Sequence, residues 1–375
     1  MMSPKKKVVY IISNIQKSVS FEWIAASALA RDFDLSFILL NSGKSFLEDS
    51  LKQIGIPVFF VRYRGKKDLP RAVFQIARHL KTLKPDLVHT HLLDASLAGL
   101  CAATLTGVPQ RIHTRHHSNM HQLRYRHALV YDRLINFLST RIVATCRNVR
   151  EVLVAIDSAP QEKVSVIHFG FELGVFNNIQ PERVSKLRQK YALKGRGPVV
   201  GVISRYMEYK GIQYVIPAFE RLLKTYPDAC LFLANTSGKE YADVIKELLK
   251  RLPPGSYREV PFEEDFAALY RLFDVFVNAP VDQVREAFGQ IYVESLAAGI
   301  PSVFTLSGVA SEFVEHEKNA LVVGYRDSDQ IHDAIVRLLE DPALAERLRL
   351  KGKLDVASLF PLQNMIAKLA QLYSL

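Results

Sequence analysis

Short runs of consecutive apolar residues alternate with longer stretches of helical periodicity throughout this chain. Few architectures accept that rhythm. A strand that is apolar at every position must be covered on both faces, and a parallel sheet flanked by helices supplies that cover. In the first half the strand candidates are Val8–Ser13, Leu35–Leu40, Val58–Val61, Leu87–Thr90, Arg111–Thr114, Ile142–Thr145 and Val164–Ile167. Helical patterns fall between them, as at Phe21–Arg31, Leu69–Leu83 and Ser96–Thr106. The second half repeats the alternation with strands Val199–Ser204, Ala229–Ala234, Val275–Asn278, Ser302–Thr305 and Leu321–Val323. Its helices lie near Ile212–Thr225, Glu240–Arg251 and Gly289–Ala298. One hydrophobic core stops growing at roughly 250–300 residues. A chain of 375 residues therefore reads as two doubly wound α/β domains. The expected boundary lies in 177–198, where Pro181, Gly195, Gly197 and Pro198 cluster.

Composition excludes several classes. With 49% hydrophobic residues the chain is not disordered, and its three separated cysteines, Cys101, Cys146 and Cys230, form no disulfide framework. Lys5-Lys6-Lys7 ahead of Val8–Ile12 imitates a leader, but the apolar stretch is too short and lacks a cleavage pattern, so a first strand is expected. Leu92–Val108 is too polar and too short to span a bilayer. The expected location is cytoplasmic, with peripheral attachment to the inner membrane face left open.

Charge is unevenly spread. Residues 1–180 hold 24 Lys/Arg against 13 Asp/Glu, and the remainder holds 25 of each, so the net +11 belongs to the first part. That part also carries nine of the eleven histidines. Between Arg111 and Arg150 stand eight Arg, five His and one acid, Asp132. Ligands of open parallel sheets bind beyond the carboxyl ends of the strands. Basic and imidazole groups follow several strand ends here: Arg62, Arg64, Lys66 and Lys67 after one, Arg115, His116 and His117 after another, with Arg124 and Arg126 beyond. They fit either a solvated basic face or a surface for phosphate groups of a substrate or lipid. Leu134, Ile135 and Leu138 fall at helical spacing within this stretch and suit either the core or a membrane-docking face.

In the second half, Arg205 and Lys210, five apart at a strand-to-helix junction, fit either an exposed loop, as the pattern taken alone suggests, or a grip on a diphosphate. The segment Arg285–Pro301 holds two acids, Glu286 and Glu294, either side of a helix start at Gly289-Gln290. Carboxylates accept hydrogen bonds from vicinal hydroxyls. An open helix start accepts phosphate. Together they suit a nucleotide-sugar.

These residues resemble the retaining glycosyltransferases of family GT4, which have the GT-B fold. Glu286, Phe288, Gly289, Glu294, Ala297, Gly299 and Pro301 match the family's two-Glu motif, and Arg205, Lys210 and Gly211 its Arg-x4-Lys-Gly. Thr114-Arg115-His116, Val166–Glu172 with Phe176, and the ending Phe360–Tyr373 are similar to further family segments. The resemblance implies two Rossmann-like domains facing a central cleft. An acceptor domain of 1–180 would be joined by a crossover helix in 358–375, and a donor domain would span 181–357. It implies transfer from a UDP- or GDP-linked sugar to a sugar or lipid-linked acceptor, in cell-envelope polysaccharide or glycolipid synthesis. No metal or cofactor is expected. Glu294 would hold the ribose, Glu286 the donor sugar, and Arg205 and Lys210 the departing diphosphate. Amides near Phe288 and Gly289 would assist, and His116 would face the reacting sugar. The family's Gly-Gly loop is replaced by Asn14–Ser18.

A sugar phosphorylase or nucleotide-sugar epimerase on the same fold is the alternative enzyme. A polyanion- or nucleic-acid-binding protein using the basic part is the alternative from another class, although no recognition motif supports it. Gly43-Lys44-Ser45 lacks the upstream glycine of a phosphate-binding loop, and Asp32-Phe33-Asp34 reads as a surface turn. His113, His116, His117 and His121 lack an evident partner to complete a zinc site.

Overall fold

The computed structural model describes residues 4–123, 125, 127–238 and 240–375. The chain divides into two compact units: residues 1–171 with 362–375, and residues 172–361. The return of the last helix to the first unit is part of that division.

The first unit is built on a seven-stranded parallel sheet. Its strands are β1 (Lys7–Ser13), β2 (Asp34–Asn41), β3 (Val58–Arg62), β4 (Leu87–His91), β5 (Gln110–Arg115), β6 (Arg141–Ala144) and β7 (Val164–Val166), in the order β3-β2-β1-β4-β5-β6-β7. Helices α1 (Leu69–Leu83), α2 (Leu93–Leu105) and α3 (Ala128–Leu138) cover one region of it. Helix α2 packs against both α1 and α3. Small residues allow this: Ala95, Ala98, Ala102 and Ala103 are all fully buried.

The second unit carries a six-stranded parallel sheet. Its strands are β8 (Val199–Ile203), β9 (Cys230–Ala234), β10 (Tyr257–Val260), β11 (Val275–Asn278), β12 (Ser302–Phe304) and β13 (Leu321–Val322), in the order β10-β9-β8-β11-β12-β13. Helix α4 (Ile212–Leu222) follows β8, and α5 (Gln290–Ala297) follows β11. The last helix, α6 (Leu362–Ser374), buries Leu362, Met365, Ile366, Leu369 and Tyr373 in the first unit's core beside Val8 and Tyr10. This is the GT-B fold.

Two expectations are corrected. A strand forms at Tyr257–Val260, where none was expected because the segment has no apolar run; an edge strand has one neighbour, so Glu259 is exposed while Arg258 is half-buried and donates to the Tyr191 carbonyl at 2.7 Å. The helix expected over Phe21–Arg31 is broken at Ser27, whose hydroxyl accepts the Leu29 amide at 3.1 Å and caps a second short helix.

Candidate functional site

Strand order reverses direction in the second sheet between β8 and β11. Such switch points open a crevice at the carboxyl ends of the strands. The chain leaves β8 through Ser204 and Arg205, makes one tight turn at Glu208–Lys210, and enters α4. Leaving β11, it runs through Asp282 to Phe288 before α5 begins. Two ion pairs tie these excursions together. Lys210 Nζ lies 2.5 Å from Glu286 Oε2, and both side chains are nearly buried. One step further out, Arg285 pairs with Glu208 and also reaches Asp282 at 3.0 Å. The sequence reading missed Arg285 and Glu208, because their partnership spans 77 residues.

Gly211 makes this geometry possible. Its φ is +74°, and a Cβ there would lie 1.7 Å from the Ala279 carbonyl oxygen. No other residue lets the Lys210 turn sit so close to the end of β11. Burial by itself would lower the Lys210 pKa, but the Glu286 carboxylate outweighs it and raises the value. The ammonium therefore stays charged. Arg205 stands exposed beyond it.

At the start of α5, Gly289 adopts φ +82°. A Cβ there would strike the Tyr292 ring at 2.7 Å. Phe288 is buried edge-on against Phe360, and Gln290 opens the helix half-buried. One face along, Glu294 accepts a hydrogen bond from the Tyr270 hydroxyl at 2.8 Å. Burial pushes the Glu294 carboxyl pKa up, against that hydrogen bond.

In the first unit His116 follows β5. Its Nε2 lies 3.0 Å from His91 Nδ1, and its ring stacks on Phe169. Beneath, His89 is held at both nitrogens, by the Tyr373 hydroxyl at 2.5 Å and Thr114 Oγ1 at 2.7 Å.

The family model "Glycosyl transferases group 1" matches residues 184–355, and "Glycosyltransferase Family 4" matches residues 24–174. The Staphylococcus aureus capsular polysaccharide biosynthesis glycosyltransferase CapM is 25% identical, over 78% of this chain and 77% of its own. The Escherichia coli UDP-Gal:alpha-D-GlcNAc-diphosphoundecaprenol alpha-1,3-galactosyltransferase is also 25% identical, over 83% and 81%. Among solved structures, Anabaena Alr3699/HepE in complex with UDP-glucose superposes with a TM-score of 0.82 at 20% identity, covering 98% of this chain and 99% of that one. The chain belongs to the GT4-type glycosyltransferases. It is an enzyme of nucleotide-sugar glycosyl transfer.

The glycosyltransferase departs from expectation in its basic part. Arg62, Arg64, Lys66 and Lys67 are exposed, as a surface role requires. Arg115 is not on any surface. It is fully buried, 3.0 Å from Asp132 and 2.9 Å from Asp157. His117 is half-buried and lies 3.3 Å from Asp132. Buried guanidinium needs carboxylate partners, and these were invisible in sequence, 17 and 42 residues away from Arg115. Arg124 and Arg126 lie outside the described residues.

Asp132 also supplies the donor that the histidine spacing lacked. Its carboxylate and the rings of His117 and His121 bring three donor atoms within 4.8 Å. These donors already serve one another: His121 Nδ1 lies 2.7 Å from Asp132, and Arg115 takes its other oxygen. Burial alone would raise the Asp132 pKa, yet hydrogen bonds from both histidines and the Arg115 charge pull it well below the usual range.

The buried histidines are expected to make the fold of the glycosyltransferase sensitive to acid. Burial, then the neighbouring His116 charge, pushes His89 down to about 3, and burial pushes His116 down to about 4. Unfolded histidine takes up its proton near 6.5. Below that pH the unfolded chain binds more protons than the folded one, so stability falls as pH drops. The loss is about 1.4 kcal/mol per pH unit for a group such as His89. Melting temperature is expected to be flat above about pH 7 and to fall steadily below about pH 6. A constant value down to about pH 4.5 would show that these rings do not stay neutral.

Proposed function

We propose that the enzyme is a metal-independent, retaining glycosyltransferase of cell-envelope polysaccharide or glycolipid synthesis. The observation that carries this reading is the Lys210–Glu286 pair at the switch point of the second sheet, with the α5 start beside it. Lys210 and Arg205 neutralise the leaving diphosphate as charge develops on it, the task that a divalent ion performs elsewhere. Glu286 binds the donor sugar, and Glu294, oriented by Tyr270, binds the ribose hydroxyls. Amides at Phe288, Gly289 and Gln290 add donors at a helix N-terminus.

UDP-glucose in the HepE complex, and the UDP-Gal donor and diphosphoundecaprenol-linked acceptor of the galactosyltransferase, support a nucleotide-sugar donor and a lipid-linked acceptor. The test is a thermal-shift screen of UDP- and GDP-sugars in EDTA, followed by transfer assays and NMR of the product anomer. Stabilisation by one donor, transfer that persists in EDTA and a retained anomeric configuration are expected. Activity that vanishes in EDTA and returns with magnesium or manganese would overturn metal independence, and an inverted product would overturn retention.

A further inference from the structure

Three segments of the first unit bring nitrogen and oxygen donors to one point. His117 stands in the turn after β5, His121 in the helical turn Met120–Leu123, and Asp132 on α3. One donor atom from each lies within 4.8 Å of the others. The Asp132 side chain is 1% exposed, that of His121 8% and that of His117 17%. Their mutual pairing accounts for one good bond only. His121 Nδ1 and Asp132 Oδ2, 2.7 Å apart, form an ordinary hydrogen bond. His117 Nε2 lies 3.3 Å from Asp132 Oδ1 and 3.5 Å from Oδ2, beyond the roughly 2.7–3.2 Å of such a bond. Among the described residues, Asp132 Oδ1 accepts no hydrogen bond, and the Arg115 nitrogen 3.0 Å away makes none. Buried carboxylate oxygens are nearly always bonded, and an orphan points to a water or an ion.

The donor set favours an ion. Two imidazoles and a carboxylate are the protein ligands of many three-ligand zinc sites. With bonds of about 2.0–2.2 Å, tetrahedral ligands lie roughly 3.3–3.5 Å apart. His117 already keeps that separation from both Asp132 oxygens. Only the His121–Asp132 contact has to open, by roughly half an ångström. The metal then replaces the hydrogen that His121 presents to Asp132, and the ring carries it on Nε2 instead. Arg115 does not claim the whole carboxylate. Its second terminal nitrogen is taken by Asp157 at 2.9 Å, and its Nε by the His117 carbonyl at 3.1 Å. It stands as an outer partner that orients Asp132, a part that such groups play around metals.

We propose that His117, His121 and Asp132 form a zinc site that staples the segment between β5 and α3. Water takes the fourth position, reached from the half-buried side at His117. Imidazole donors favour zinc over magnesium and calcium, which take oxygen ligands. The role is structural: one ion ties the turn after β5 and the helical turn behind it to α3. All three ligands belong to the first unit, whereas Arg205 and Lys210 belong to the second. A response of glycosyl transfer to magnesium or manganese therefore bears on the diphosphate and not on this site.

The experiment is equilibrium dialysis of the full, untagged chain, stripped with EDTA, against zinc alone near neutral pH. Bound metal and melting temperature are the readouts. One zinc per chain is expected, with a melting temperature that rises with zinc concentration. Cobalt in its place should give the visible absorption of a four-coordinate ion. His117→Ala and His121→Gln should each weaken zinc binding at least about a hundredfold, since each removes a ligand. The glutamine keeps a donor for Asp132 and the alanine lies at a half-buried position, so at least one variant keeps the fold for comparison. A stripped wild-type chain that takes up no zinc overturns the proposal. So does zinc bound equally by the wild type and both variants, which places it on other histidines. A cobalt spectrum without the four-coordinate band, or bound zinc that leaves the melting temperature unchanged, overturns it as well.

Discussion

Replacing Arg115 with methionine is expected to lower the stability of the first unit by about 3–5 kcal/mol, the usual loss when one partner of a buried ionic group is removed. The guanidinium is fully buried, paired with Asp132 at 3.0 Å and Asp157 at 2.9 Å. Its Nε donates to the His117 carbonyl at 3.1 Å. Without it, two carboxylates remain inside with one cation fewer. Burial already outweighs Arg115 at Asp157 and raises that carboxyl's pKa. The loss is a large share of the roughly 5–15 kcal/mol that a folded domain has in total. It would appear as a lower urea midpoint for the first unit at unchanged slope. Adding Asp132→Asn and Asp157→Asn to Arg115→Met should recover much of it, because the uncompensated charge is then gone. A change below about 1 kcal/mol in the single variant would mean that Arg115 behaves as an exposed ion pair does.

Lys210→Met should lower kcat/KM by about 10²–10³, the range for removing one group that stabilises developing transition-state charge. The same change leaves Glu286 nearly buried without its 2.5 Å partner, so stability falls too. The two effects are separable. Combining Lys210→Met with Glu286→Gln should restore stability, since no unpaired charge is left, but not turnover. A double-mutant cycle then reports stability coupling between the two sites. Turnover equal to wild type in Lys210→Met, at a donor concentration below KM, would remove the lysine from the chemistry.

The candidate site of the second unit was well represented in sequence because its residues are local. Lys210 and Gly211 are adjacent, and Glu286, Phe288, Gly289 and Glu294 fall within nine residues of one segment. A short segment spanning a strand end and a helix start leaves its pattern in consecutive letters. Glycine shows this most directly: Gly211 marks a positive φ and a carbonyl contact that no side chain tolerates. The pairing of Glu208 with Arg285 left no such mark, because neither residue type is restricted to that use.

The first unit was harder to read. Arg115, His116 and His117 are consecutive and follow one strand, so they looked like one basic surface. In a strand and the turn after it, successive side chains point different ways. Arg115 turns into a buried pocket of two aspartates, while His116 leans on His91 and Phe169. Exposed charge and buried charge are written with the same letter.

The sequence alone determined the two parallel sheets, because a strand buried on both faces must be apolar throughout, and that pattern is local. It also determined the two-Glu segment and the lysine-glycine turn, whose geometry depends on neighbouring residues. Only the tertiary structure decided which charges are free. Burial and partners come from residues tens of positions apart, and desolvation can make an arginine structural or leave it to meet a ligand. The excess positive charge of the first unit is thus less than its composition implies at Arg115. The lone acid of the Arg111–Arg150 stretch has likewise been turned inward, to Arg115 and two histidines.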